Sequence, residues 1–219
     1  LGTFFYTSAL SYVNYINLSV VVLLQKLQPL FAISLASVIL KEKLSQKFLF
    51  LASVAIIGSF LVTFGLQPLS EWGDKTIIAS LFALLAAFSW GSSTVIGKYA
   101  LKNLSFQLVT SLRLIITAVI CLIIIIGTED LQVIVALTKP QWLFIFLISI
   151  STGSIALFIY YYGLKNLPAS HATLYELFWP LSAMFIDWFF RSRTLELAQI
   201  IGAILLLGST ILLTRDNND

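Results

Sequence analysis

Seven apolar runs of about 20 residues, separated by short clusters of charge, set the terms for this chain. A run of that length crosses a hydrocarbon core of roughly 30 Å as an α-helix, and repetition means many crossings, not one anchor. Hydrophobic residues make up 59% of the sequence and charged ones only 11%, against roughly 25% charged in a soluble domain. The fold class that follows is an all-α integral membrane protein, a multi-span helical bundle. Full spans are expected at 18–40, 48–64, 76–97, 107–127, 142–162, 169–190 and 195–214, and an eighth apolar stretch, 1–13, is too short to cross.

The net charge of +3 reads as topology, because the basic residues fall at span ends. If the spans alternate, one side receives Lys41, Lys43, Lys47, Lys98, Lys102, Lys165 and Arg215, and the other Lys75, Lys139, Arg191 and Arg193. The positive-inside rule then places the first side, with the C-terminus, in the cytoplasm of a cell membrane. The single cysteine, Cys121, allows no disulfide within the chain, and nothing resembles a metal-ligand pair, a phosphate-binding loop or a nucleophile elbow. No cofactor, metal or nucleic acid is expected, and an enzyme is not.

An internal repeat organises the spans. Laying Pro29 on Pro180, a displacement of 151 residues, matches "LLQKLQPLFAISLASVIL" to "LYELFWPLSAMFIDWFF". Ser19 then falls on Ser170, Ala32 on Ala183 and Leu44 on Leu195, and Gly58-Ser59 meets Gly208-Ser209 with one residue skipped. Three helices recur in order with two spans between the copies, so the repeat has five helices. An odd number reverses the second copy in the membrane, giving the inverted repeat of secondary transporters. The expected organisation is 1–65 as the last three helices of a first repeat whose first two precede Leu1, a linker at 66–75, a second repeat at 76–214, and a tail at 215–219.

With "AIIGSFLVTFG", "FSWGSSTVIGKYAL", "YYYGLKNLPASHATLYELFWPLSAMF" and "IIGAILLLGSTILL", the repeated proline helix resembles the EamA-type branch of the drug/metabolite transporter superfamily. The resemblance covers essentially the whole chain and implies ten helices in two halves that move small metabolites. The family pattern carries an acidic residue just after the fourth helix of each half. Glu42 fits it, whereas the aligned position of the second half holds Arg193.

A charge near mid-bilayer costs about 2.5 to 3.5 kcal/mol, so it faces protein or water and is a functional candidate by default. Lys26 and Arg113 lie about eight residues into their spans, roughly 12 Å deep. Glu176 is shallower, and Asp187 has Arg191 four residues on, which suits an interfacial ion pair. Thr173, Glu176, Pro180, Ala183 and Asp187 fall on one helical stripe, as do Gln25, Pro29, Ala32 and Ala36. Each proline frees a carbonyl one turn earlier, those of Gln25 and Glu176. Trp90, Tyr160 and Trp179 lie deep enough to wall a cavity, and "SISTGS" at 149–154 would loosen its helix. The substrate-binding candidates are therefore Gln25, Lys26, Pro29, Trp90, Arg113, Tyr160, Glu176, Trp179 and Pro180.

The reading is a secondary transporter working by alternating access, exporting a small polar solute, with a zwitterion such as an amino acid suited to the two charge signs. A proton or an exchanged solute is the expected coupling partner, and a homodimer is a compatible assembly. The alternatives are a membrane scaffold or sensor that transports nothing, and an intramembrane enzyme using Glu176 with His171. The last is disfavoured because residues five apart stand on different helix faces.

Overall fold

The computed structural model describes residues 1–12, 18–65, 76–127, 137–191 and 196–216. The expected linker with Lys75, and Arg193, lie outside the described residues, as do the side chains of Ala183, Asp187 and Arg191. Every regular element among the described residues is helical. Among the described residues four segments are long and apolar enough to cross a membrane, Gln46–Thr63, Ile77–Ala100, Phe106–Gly127 and Lys139–Asn166.

Local chemistry sets the helix ends. Helix α1 runs Gly2–Leu10 and α4 runs Gln46–Phe64. The α4 N-terminus is capped by Ser45, whose Oγ accepts the Phe48 N–H at 3.0 Å, and its C-terminus stops at Gly65, where φ is +61°. Helices α5 (Thr76–Ala100) and α6 (Phe106–Gly127) follow. Helix α7 (Lys139–Ile148) opens on a capping box between Thr138 and Gln141 with a proline in its first turn. It continues through a π-helical stretch, Ser149–Ile155, into α8 (Ala156–Asn166). Ser154 Oγ donates to the Ser149 carbonyl five residues back at 2.9 Å within this wider stretch.

Two expected spans are interrupted. The first divides into α2 (Leu18–Gln25) and α3 (Gln28–Leu35), which ends in a π-helical turn, Ala36–Leu40. The other divides into α9 (Ala169–Tyr175) and α10 (Phe178–Arg191). The breaks fall at Lys26 and Leu27 and at Glu176 and Leu177, each just before a proline that has no N–H to give the preceding turn. The expected stripe from Thr173 to Asp187 is therefore not continuous, because the helical phase restarts at Phe178. Nor is the Glu176 carbonyl left free: it accepts the Trp179 N–H at 3.1 Å in a tight turn. Helix α11 (Leu197–Asp216) closes the order.

The residues cluster into two compact units, Leu1–Ile96 with Pro168–Asp219, and Gly97–Leu167. In the first, α4 and α11 run antiparallel and touch at Gly58 and Gly202. Ala79, Ala83 and Ala87 are fully buried along α5, the small-residue seam by which membrane helices approach closely. Gly91 continues that seam: a methyl group there would stand 3.0 Å from the Gln28 carbonyl oxygen and the Ala32 nitrogen, so α5 crosses α3 at backbone distance. In the second unit, Lys98 Nζ donates to the carbonyls of Leu164 and Lys165 at 2.9 and 2.8 Å, holding its positive charge at the negative end of α8. The outward faces are apolar: Ile115, Ile116, Ile123, Leu143, Phe144 and Phe146 are all exposed, the arrangement lipid requires.

Candidate functional site

The two helix breaks of the first unit bring its polar residues together. Gln28 Nε2 donates to Glu176 Oε2 at 2.5 Å, joining positions 148 residues apart. Thr94 Oγ1, one turn beyond Trp90 on α5, reaches Glu176 Oε1 at 3.4 Å. Lys26, at the first break, is only 7% exposed. Among the described residues its charged head is answered by the Trp179 ring, 4.9 Å from Nζ to centroid, and by no carboxylate. Trp179 itself is 68% exposed, so an indole face remains open beside a buried cation.

Of the residues singled out in the sequence, Lys26, Glu176 and Trp179 thus share one cluster, flanked by the buried rings of Pro29 and Pro180 that produce the breaks. Gln25 ends α2 half-buried. Trp90 packs elsewhere in the unit, its ring 5.5 Å from that of Tyr6, and is closed over by Gly2, where a methyl group would meet the indole at 2.6 Å. Gln28 and Thr173, polar residues of the two proline spans outside the list of binding candidates, enter as well, and so does Thr94, which was not singled out. Thr173 is fully buried on α9, one turn before Glu176, and its Oγ1 has no hydrogen-bond partner among the described residues. The visible signal for Gln28 was a second amide beside Lys26; nothing in the sequence marks Thr94.

Arg113 and Tyr160 belong to the second unit. Arg113 Nη1 donates to Tyr161 Oη at 2.9 Å, and the guanidinium carbon stands 5.6 Å from that ring's centroid. Tyr160 packs edge-on against Tyr161, with centroids 5.6 Å apart. Tyr161 is buried, and Gly97 makes room for it, since a methyl group there would lie 2.6 Å from Tyr161 Oη. Gly97→Ala therefore displaces the phenol from Arg113; a loss of about 1.5 to 3 kcal/mol in unfolding free energy is expected, and Tyr161→Phe should reproduce most of it.

A pair of interrupted helices, each broken at a proline and joined by polar contacts at the break, is the arrangement by which secondary transporters build a site within the membrane. The sequence matches the EamA-like transporter family over residues 1–64 and 77–215. The chain belongs to that family. This EamA-like transporter is 41% identical over 218 residues to the riboflavin transporter ImpX of Fusobacterium nucleatum, covering 99% of this chain and 73% of that protein. It is 24% identical to the uncharacterized transporter YoaV of Bacillus subtilis, over 81% of this chain and 60% of that one. A solved crystal structure superposes with a TM-score of 0.74 at 18% identity, over 97% of this chain and 73% of its own, a likeness of fold. The EamA-like chain is thus a membrane transporter of a small solute, not an enzyme.

Proposed function

We propose that this EamA-like transporter carries riboflavin across the cell membrane by alternating access, with the cluster around Lys26 and Glu176 as its binding site. The observation that carries the proposal is the 41% identity to a riboflavin transporter along nearly the whole chain. The chemistry of the cluster supports it. A flavin is a flat aromatic body with a pyrimidine edge of two carbonyls flanking an N–H, and a polyol tail. The exposed Trp179 face offers a stacking surface. The Lys26 ammonium offers a donor to a ring carbonyl, and the Gln28–Glu176 pair offers acceptors to an N–H.

In this reading Pro29 and Pro180 shape the site and Gln25 flanks it, while Trp90 packs away from it against Tyr6. Arg113 and Tyr160, with Tyr161, form a second polar element within the other compact unit. The loop carrying Lys41 and Lys43, with Lys47 in the first turn of α4, lies on the cytoplasmic side with the C-terminus.

The test is flux of labelled riboflavin into proteoliposomes holding the full-length protein, in both directions, with and without a pH gradient, against a pool of labelled amino acids. Saturable riboflavin flux is expected, with dependence on the gradient identifying proton coupling. Saturable amino-acid flux with no riboflavin flux would overturn the substrate.

A further inference from the structure

The α3 segment ends abruptly. Lys41 takes the left-handed conformation, φ 58° and ψ 36°, the one positive φ at a non-glycine residue among those described. For such a residue this conformation is unfavourable and persists only where the surroundings hold it. What it accomplishes is the aim of the next side chain. Glu42 Oε1 accepts the Ala169 N–H at 2.7 Å, and Oε2 accepts the Ser170 N–H at 3.1 Å and the Ser170 hydroxyl at 2.6 Å. Both carboxylate oxygens are therefore spent on the first turn of α9, the helix that carries Thr173 and leads into Glu176.

The contact also agrees with topology. Between Glu42 and Ala169 the chain runs through four segments able to cross the membrane, an even number, which returns Ala169 to the side from which Glu42 departed. Glu42 belongs to the first copy of the sequence repeat and α9 to the second, so the carboxylate fastens one copy to the other at one membrane face. The repeat does not duplicate this fastening. The position aligned with Glu42 is Arg193, and a guanidinium cannot accept backbone N–H groups.

We propose that Glu42 is a positioning residue for transport, a one-sided clamp that fixes the start of α9 and so closes the polar cluster toward the membrane face bearing Lys41, Lys43 and Lys47. For the cluster to open toward that face, α9 must part from Glu42, so weakening the clamp populates the state open to that face. This holds whichever solute is carried.

The experiment uses full-length protein in sealed vesicles of defined orientation, with Cys121 and every cysteine outside residues 1–219 replaced by serine and Thr173→Cys as reporter. A membrane-impermeant maleimide is applied from each side in turn. Thr173 is fully buried with the clamp closed, so basal labelling is slow. Glu42→Gln is expected to raise the labelling rate roughly tenfold from the Glu42 side alone, with Glu42→Asp intermediate, a size set by weakening a hydrogen bond to a charged group. Ser170→Ala, which removes one donor and leaves the acid in place, should shift the rate the same way and guards against a Glu42 variant that fails to fold. Equal increases from both sides would mean general loosening and would overturn the clamp. So would an unchanged rate in folded Glu42→Gln and Ser170→Ala proteins.

Discussion

On the riboflavin reading proposed above, Lys26→Met is expected to lower saturable riboflavin flux by roughly tenfold to a hundredfold while leaving the protein folded and no less stable. The two halves of that outcome have different causes. A hydrogen bond to a charged donor is worth about 1.5 to 3 kcal/mol, and losing it from a bound carbonyl weakens binding by the stated factor. Stability moves the other way. Lys26 is 7% exposed and, among the described residues, meets an indole ring and no carboxylate, so its ammonium has lost water without gaining an ion pair. An apolar side chain of similar length removes that desolvation penalty, and such replacements are commonly neutral or stabilising. Flux and thermal unfolding of the same preparation decide the matter. Normal flux with reduced stability would make Lys26 a structural residue and remove the binding site from this cluster.

The proline helices were legible because proline acts on the backbone directly: a residue without an N–H must break a turn wherever it falls, and Pro29 and Pro180 do so at matching places. The charges beside them were legible too, since Lys26 and Glu176 stand out in apolar runs. Their partners were not. Gln28 and Glu176 are joined only once α3 and α9 pack together, and no local spacing carries a contact across 148 residues. The stripe through Thr173 and Glu176 was drawn on an unbroken helix, whereas a tight turn at Glu176 and Leu177 divides it before Pro180. In the second unit Arg113 bonds Tyr161, the neighbour of the tyrosine singled out. A helix apolar on all sides gives little basis for choosing between adjacent residues, because lipid and protein accept the same side chains.

The glycines of the last helix show where repeat and packing part company, and they carry the second large effect: Gly202→Ala lowers unfolding stability by about 1 to 3 kcal/mol, whereas Gly208→Ala is silent. Sequence similarity lays Gly58 on Gly208, yet a methyl group at Gly208 meets nothing within 4 Å. Helices related by an inverted repeat run antiparallel, so the residue matched to Gly58 by alignment is not the one that faces it. That residue is Gly202. A methyl group on Gly202 would stand 2.7 Å from the Gly58 carbonyl oxygen and 2.8 Å from the Val62 nitrogen, and one on Gly58 would stand 2.8 Å from the Gly202 carbonyl oxygen. The obstacles are backbone atoms on both sides, which cannot rotate away as a side chain would, so α4 and α11 must separate to admit even one carbon. Thermal unfolding in detergent should show a fall on the order of 5 °C for Gly202→Ala and for Gly58→Ala. Because both variants relieve themselves by the same separation of helices, the double variant should cost less than the sum of the two. A full additive loss would mean that the glycines do not share one contact, and that α4 and α11 are held together elsewhere along their length.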